Sequence, residues 1–400
     1  MKRRGLIAIL LVTFMINLGS VRGQEIETDT PPLLSMLALL PTTLPDPVEG
    51  DLVTVRFADY RTLYEVEGVE VLWLTTDYEA LWDTVLPETL GRLAAFPVTM
   101  DAGSVISWGT RGQVGFEWLT QVERSLGFFA PPYSGLVIEG SFDGNEVAVA
   151  LEAREFEQTA VNDVVVWHHY EDGAHNISER QPSDPFGGHM GAAARIALLP
   201  GYLANAPYWD QINDIISTAQ GAQPSLADNP DYRALADAIT APEGFLIQAI
   251  FFNVEPTYLL EGLLGGEHDP TIDYGPLAPY ALGVLADRQE GSDQVHLIGL
   301  VYPDAASAQQ AAEEVAQRIS VFVPPYADGT AAEQFGAQLS TRVFESDSTG
   351  NAVALIEARY PLPEPQIDPE TGDFAPGGLL YRMWAGALGS QFYPLMVVPE

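Results

Sequence analysis

The 400-residue chain contains no cysteine, and its only lysine is Lys2. The first absence excludes a thiol nucleophile, an iron–sulfur cluster, an attached c-type haem and any disulfide. The second excludes, beyond the extreme N-terminus, a Schiff-base enzyme, a phosphate loop of the G-x-x-x-x-G-K-[ST] kind, a kinase lysine and a Ser-x-x-Lys hydrolase. Positive charge of any kind is scarce, with 18 basic residues against 55 acidic ones and a formal net charge of −37. Such a chain repels nucleic-acid phosphates and anionic membrane surfaces, so neither is an expected partner. What remains is chemistry run by carboxylates, histidine, serine or a hard metal, or no chemistry.

The N-terminus carries an export pattern. Lys2, Arg3 and Arg4 precede the apolar run Leu6–Leu18, and Val21 and Gly23 are the small residues of a cleavage site before Gln24. Residues 1–23 therefore read as a signal peptide, and the expected location is secreted or extracytoplasmic. The run falls short of the roughly 20 residues a spanning helix needs, and no transmembrane segment is expected after cleavage.

Length and punctuation divide the remainder. Residues 24–50 hold Pro31, Pro32, Pro41, Pro45 and Pro47 and read as a tether around a short apolar helix, Leu33–Leu40. A first domain is expected over 51–255 and a second over 280–400. Between them, 256–279 is a linker marked by Gly262, Gly265, Gly266, Pro270, Gly275 and Pro276.

Strand and helix patterns alternate in both halves. Val53, Val55 and Phe57 form one face of a strand over 52–58, and Gly135–Phe142 is another. Asp143, with Glu146 three residues on, caps a helix. Ala148–Phe156 favours helix by its Ala and Glu content, while the alternation of Val147, Val149 and Leu151 leaves strand open. Val164-Val165-Val166-Trp167 reads as a strand buried on both faces. Thr76, Asn229 (with Pro230 following) and Asp304 open further helices. Phe245–Phe252, Tyr280–Ala286 and Val295–Tyr302 are strands, and Arg342–Glu345 with Ala352–Arg359 is a hairpin. Strand, capping aspartate, helix and strand recur after Gly135 and after Leu297. The expected fold is α+β: two tandem units, each a mainly antiparallel sheet with helices packed on one face.

Sites are harder to find. His168, His169, His175 and His189 crowd one stretch with Glu171, Asp172, Glu179 and Asp184. His169, Glu171, His175 and His189 are the candidate ligands for zinc, which needs several such groups to converge. A regular strand would send His168 and His169 to opposite faces. Calcium has oxygen-rich turns to use at Asp269–Asp273 and Asp368–Asp373, neither of which matches an EF-hand loop. No G-x-S-x-G occurs, and Leu86-Pro87-Glu88-Thr89 lacks the glycine and basic tail of a wall-sorting signal. No catalytic residue and no cofactor is nominated. The leading expectation is a non-enzymatic binding or envelope-associated module for a protein, glycan or small-molecule ligand. The alternative is a cysteine-free extracytoplasmic hydrolase, metal-assisted, with the 168–189 loop at its site.

Overall fold

The computed structural model describes residues 30–46, 53–68, 92–93, 111–181, 184–186, 191–253, 277–321, 329–361, 366–367, 374–375, 380–381 and 385. The helix expected from Thr76, the 86–89 motif, His189 and both acidic calcium turns lie outside them.

One antiparallel sheet of 12 strands organises the described residues. Its strands are β1 (Val53–Asp59), β2 (Val122–Ala130), β3 (Tyr133–Gly140), β4 (Glu157–Val161), β5 (Val164–His169), β6 (Ala194–Leu199), β7 (Tyr202–Ala206), β8 (Phe245–Asn253), β9 (Gly283–Glu290), β10 (Asp293–Tyr302), β11 (Gln338–Glu345) and β12 (Ala352–Pro361). From one edge they run β11-β12-β10-β9-β8-β1-β2-β3-β7-β6-β5-β4. This overturns the expectation of two tandem sheet-plus-helix units. The sheet is continuous because β1 pairs with β8 (Arg56 opposite Ile250), and β8 pairs in turn with β9 (Phe252 opposite Gly283) across the Gly/Pro-rich stretch.

Nor do the helices keep to one side. Strand β10 shows why: Val295, Leu297 and Val301 join one cluster while Ile298, Leu300 and Tyr302 join another. Alternate residues point to opposite faces, so both faces of this strand are apolar and both must be covered. The first face is covered by α1 (Pro32–Leu37) together with the helices Trp209–Ala219 and Pro230–Thr240. The second is covered by α2 (Tyr60–Val66), α3 (Gly144–Ala153) and, further along, the helix Ala305–Val321. Read outward from the β1–β8 pair, β1-β2-β3-β5-β4 and β8-β9-β10-β12-β11 follow the same order, with the β6–β7 hairpin inserted in the first set.

Helix starts follow local chemistry. The Asp143 carboxylate accepts from the Asn145 and Glu146 amides, Asn229 from those of Asp231 and Tyr232, and Asp304 from that of Ser307 at 2.8 Å. Residues 148–153 are helical, settling that ambiguity. In β5 only Val166 and Trp167 are buried, one in the apolar cluster of each face, and Val165 is 44% exposed, so the strand is not buried throughout.

Helix α1 is docked. Leu33, Leu34, Met36, Leu37 and Leu40 are all buried in the first-face cluster. The chain beyond it is pinned by the Leu226 amide donating to the Leu40 carbonyl at 2.8 Å and that of Thr42 to the Pro224 carbonyl at 3.1 Å.

Candidate functional site

The described part of the histidine-rich stretch does not converge; His189 lies outside the described residues. His168 and His169 do fall on opposite faces of β5. His168 meets the Thr159 hydroxyl at 3.0 Å and the edge of Trp209, whereas His169 stacks on Phe156 at 5.0 Å between ring centroids. Burial depresses the His169 pKa. Glu171 and His175 are exposed, and His175 engages only through a backbone bridge to Ala192. The charged group that draws this loop together is Arg195. It donates to the Tyr170 carbonyl at 3.0 Å and the Pro207 carbonyl at 2.7 Å, pairs with Asp172 at 2.7 Å and lies 5.4 Å from the Trp209 ring. That arrangement orders the loop; among the described residues no three His, Asp or Glu side chains are grouped to hold a metal ion.

The densest polar cluster lies elsewhere, on the second face between the apolar patches under α2–α3 and under the helix Ala305–Val321. Strands β8, β9 and β10 interrupt their apolar runs with buried polar side chains on this face, among them Gln248, Asp287 and His296, each 0% exposed. Arg92 closes the cluster. Its Nε and Nη2 donate to the two oxygens of Asp287, both at 2.9 Å, in the bidentate geometry a guanidinium and carboxylate favour. Its Nη1 reaches Glu67 at 3.0 Å and Gln289 at 2.9 Å. The Gln248 amide donates to Asp287 Oδ2 at 3.0 Å and to the Arg92 carbonyl at 2.8 Å.

His296 completes the chain of contacts. Its Nε2 lies 3.3 Å from Asp287 Oδ1, and the Tyr360 hydroxyl is 3.3 Å from Nδ1 and 3.2 Å from Nε2. A proton on Nε2, donated to the carboxylate, leaves Nδ1 as acceptor for Tyr360. Tyr381 packs edge-on to the same ring at 5.5 Å and donates to the Leu285 carbonyl at 3.3 Å. Burial alone would raise the Asp287 carboxyl, but Arg92 and the bond from His296 hold it well below the ordinary carboxylate range. Burial lowers His296, Asp287 opposes this in part, and the net shift is downward. Burial and Asp287 together push both tyrosines far up. At neutral pH the centre is therefore a carboxylate and guanidinium beside a neutral imidazole and neutral phenols.

A pH dependence follows. Because His296 has its pKa depressed in the fold, the unfolded chain takes up the proton first as pH falls below about 6.5. The stability contribution is complete above that value and lost on acidification. Asp287, also depressed, adds its own loss only once pH approaches about 4. Melting temperature should therefore drop between pH 7.5 and pH 5.5 by more in the wild type than in His296→Gln. Equal drops would show that His296 does not titrate in this way.

Sequence reading did not nominate Arg92, Gln248, Asp287 or His296. The available signal was an Asp, a Gln and a His each in the middle of an apolar strand, where a polar side chain needs a partner.

No family model matches the chain, and no curated protein matches it. Among solved structures, TP0453 in crystal form III has 8% identity, a TM-score of 0.34, and coverage of 81% of this chain and 93% of that one. Crystal forms I and IV of TP0453 each give 7% identity, a TM-score of 0.36, and coverage of 88% and 96%. At these scores the likeness is too distant to argue from.

Proposed function

We propose that the chain is an exported, extracytoplasmic binding module associated with the envelope, without catalysis of its own. The observation that carries this is the state of its acid and base groups. Asp287 and His296 form the one carboxylate–imidazole pair in bonding contact among the described residues, and neither has any exposed surface. A general acid or base must reach the proton it moves. Here the carboxylate is held by Arg92, Gln248 and His296, an arrangement that fastens three strands together. The export pattern at residues 1–23 and the excess of acidic residues support a location outside the cytoplasm, where the partner is a protein, a glycan or a small molecule. No helix among the described residues is long and apolar enough to cross a membrane.

The hydrolase reading built on the 168–189 loop is weakened by the divergence of His168 and His169 and the exposure of Glu171 and His175. Melting the protein after chelation, then with zinc or calcium added singly, tests the choice. No shift is expected. Zinc held at about 100 times its dissociation constant would add about 2.7 kcal/mol. A zinc shift lost in His175→Ala, accompanied by ester or peptide hydrolysis, would overturn the reading. Fractionation of bacteria expressing the full chain should find it outside the cytoplasm, starting at Gln24 by mass; uncleaved protein in the cytosol would refute export.

A further inference from the structure

Strand β1 lies at the middle of the sheet, and its second-face residues are Thr54, Arg56 and Ala58. Simple alternation with Val53, Val55 and Phe57 would give Thr54 and Arg56 to solvent, but this sheet is covered on both faces. Thr54 is 3% exposed, and its hydroxyl has no hydrogen-bond partner among the described residues. Arg56 is half-buried, and its Nε is buried without an acceptor. The two side chains are two residues apart and so share a face, which makes a pair of unsatisfied polar groups in one place.

The missing partner for Arg56 is notable in a chain with 55 acidic residues. Arg61, Arg92, Arg124, Arg154, Arg195, Arg233, Arg288, Arg318, Arg342 and Arg359 each have a carboxylate within 4.0 Å. Arg180 has none but is exposed, so water serves it. Among the described arginine side chains, Arg56 alone has both a buried Nε without an acceptor and no carboxylate within 4.0 Å. Burial disfavours its charge. A buried guanidinium N–H left without an acceptor costs stability, and violations of that kind concentrate at functional sites.

The neighbours define the chemistry that would answer it. In register beside Arg56 are Gly127 on β2, which adds no side chain, and Ile250 on β8; beside Thr54 are Phe129 and Phe252. A planar guanidinium fork with a hydroxyl nearby matches the two oxygens of a carboxylate. Phe129, partly exposed, suits an apolar body and not a hydrated dianion, while Ile250 and Phe252 are already packed in the second-face apolar cluster. We propose that Thr54 and Arg56 form the polar end of a binding site for a small monocarboxylate with an aliphatic or aromatic body. This rests on the binding-module reading and gives it a ligand class.

The test uses the full chain, with octanoate and benzoate as probes and inorganic phosphate at matched ionic strength as comparator. Millimolar octanoate or benzoate should raise the melting temperature, and calorimetry should show one site. Arg56→Met should weaken binding at least tenfold, Thr54→Val should weaken it less, and Arg180→Met should leave it unchanged. Without ligand, Arg56→Met should melt at or above the wild type, since it removes a buried donor that has no acceptor. A marked fall in that melting temperature would make Arg56 a structural residue and overturn the proposal. So would no response to either carboxylate, or a response that Arg56→Met does not change. A response to phosphate alone would replace the carboxylate with an inorganic anion and likewise overturn it. Hydrolytic activity in a variant still blind to carboxylates would instead count against the binding-module reading, so the two failures are distinguishable.

Discussion

A chain that begins at Thr43 is expected to lose its cooperative unfolding transition, while one that begins at Gln24 keeps it. The difference is helix α1 and the turn after it. Leu33, Leu34, Met36, Leu37 and Leu40 are each 4% exposed or less, packed in the first-face cluster with the helix Pro230–Thr240. Burying such a side chain is worth about 1.5–3 kcal/mol, so the five together contribute on the order of 10 kcal/mol as an upper figure. The whole stability of a domain is about 5–15 kcal/mol. The truncation also exposes the apolar surface those residues cover and strips the Leu226 amide of its acceptor, the Leu40 carbonyl. Urea unfolding followed by circular dichroism is the measurement. A Thr43 start that melts within a few degrees of the longer chain would show the helix to be a dispensable tether. Leu37→Ala is the milder version, expected to cost about 2–5 kcal/mol.

The same segment shows what the sequence made legible. Leu33–Leu40 between prolines announced a short apolar helix because proline placement and apolar content act locally. Asp143, Asn229 and Asp304 announced helix starts for the same reason: each cap bonds amides two or three residues on. Sheet order is a different kind of fact. Nothing near Val53 specifies that β1 pairs with β8, since the partner is selected by competition among all strand edges. The inference of separate sheets failed there. The 168–189 loop drew attention by composition, yet the contacts that hold its start are those of Arg195 with the Tyr170 carbonyl and Asp172. The polar cluster stayed hidden because Arg92 and Asp287 are 195 positions apart, and His296 and Tyr360 are 64 apart. Arg56 stayed hidden because alternation identifies a second face without saying whether that face meets water.

Asp287→Ala is expected to be the most damaging single substitution in the polar cluster, at about 3–5 kcal/mol, because it breaks a buried ion pair from one side. The mechanism is not the loss of attraction alone. Arg92 would remain fully buried with two of its donors, Nε and Nη2, deprived of the carboxylate, keeping only Glu67, Gln289 and the Arg288 carbonyl. Gln248 would lose its Asp287 acceptor, and His296 its carboxylate partner. An unpaired buried charge is costly where a pair was tolerable, so the double substitution Arg92→Met with Asp287→Leu should recover much of the loss. Arg92→Met alone should also be severe, since it leaves the carboxylate with neutral donors only. Denaturant midpoints for the two single variants and the double variant form a cycle whose coupling energy measures the pair. A cost below 1 kcal/mol for Asp287→Ala, or single losses that simply add in the double variant, would mean the cluster does not fasten β8, β9 and β10. If the coupling is large, these residues serve the architecture, and ligand contacts are to be sought at Arg56, which has no carboxylate partner among the described residues.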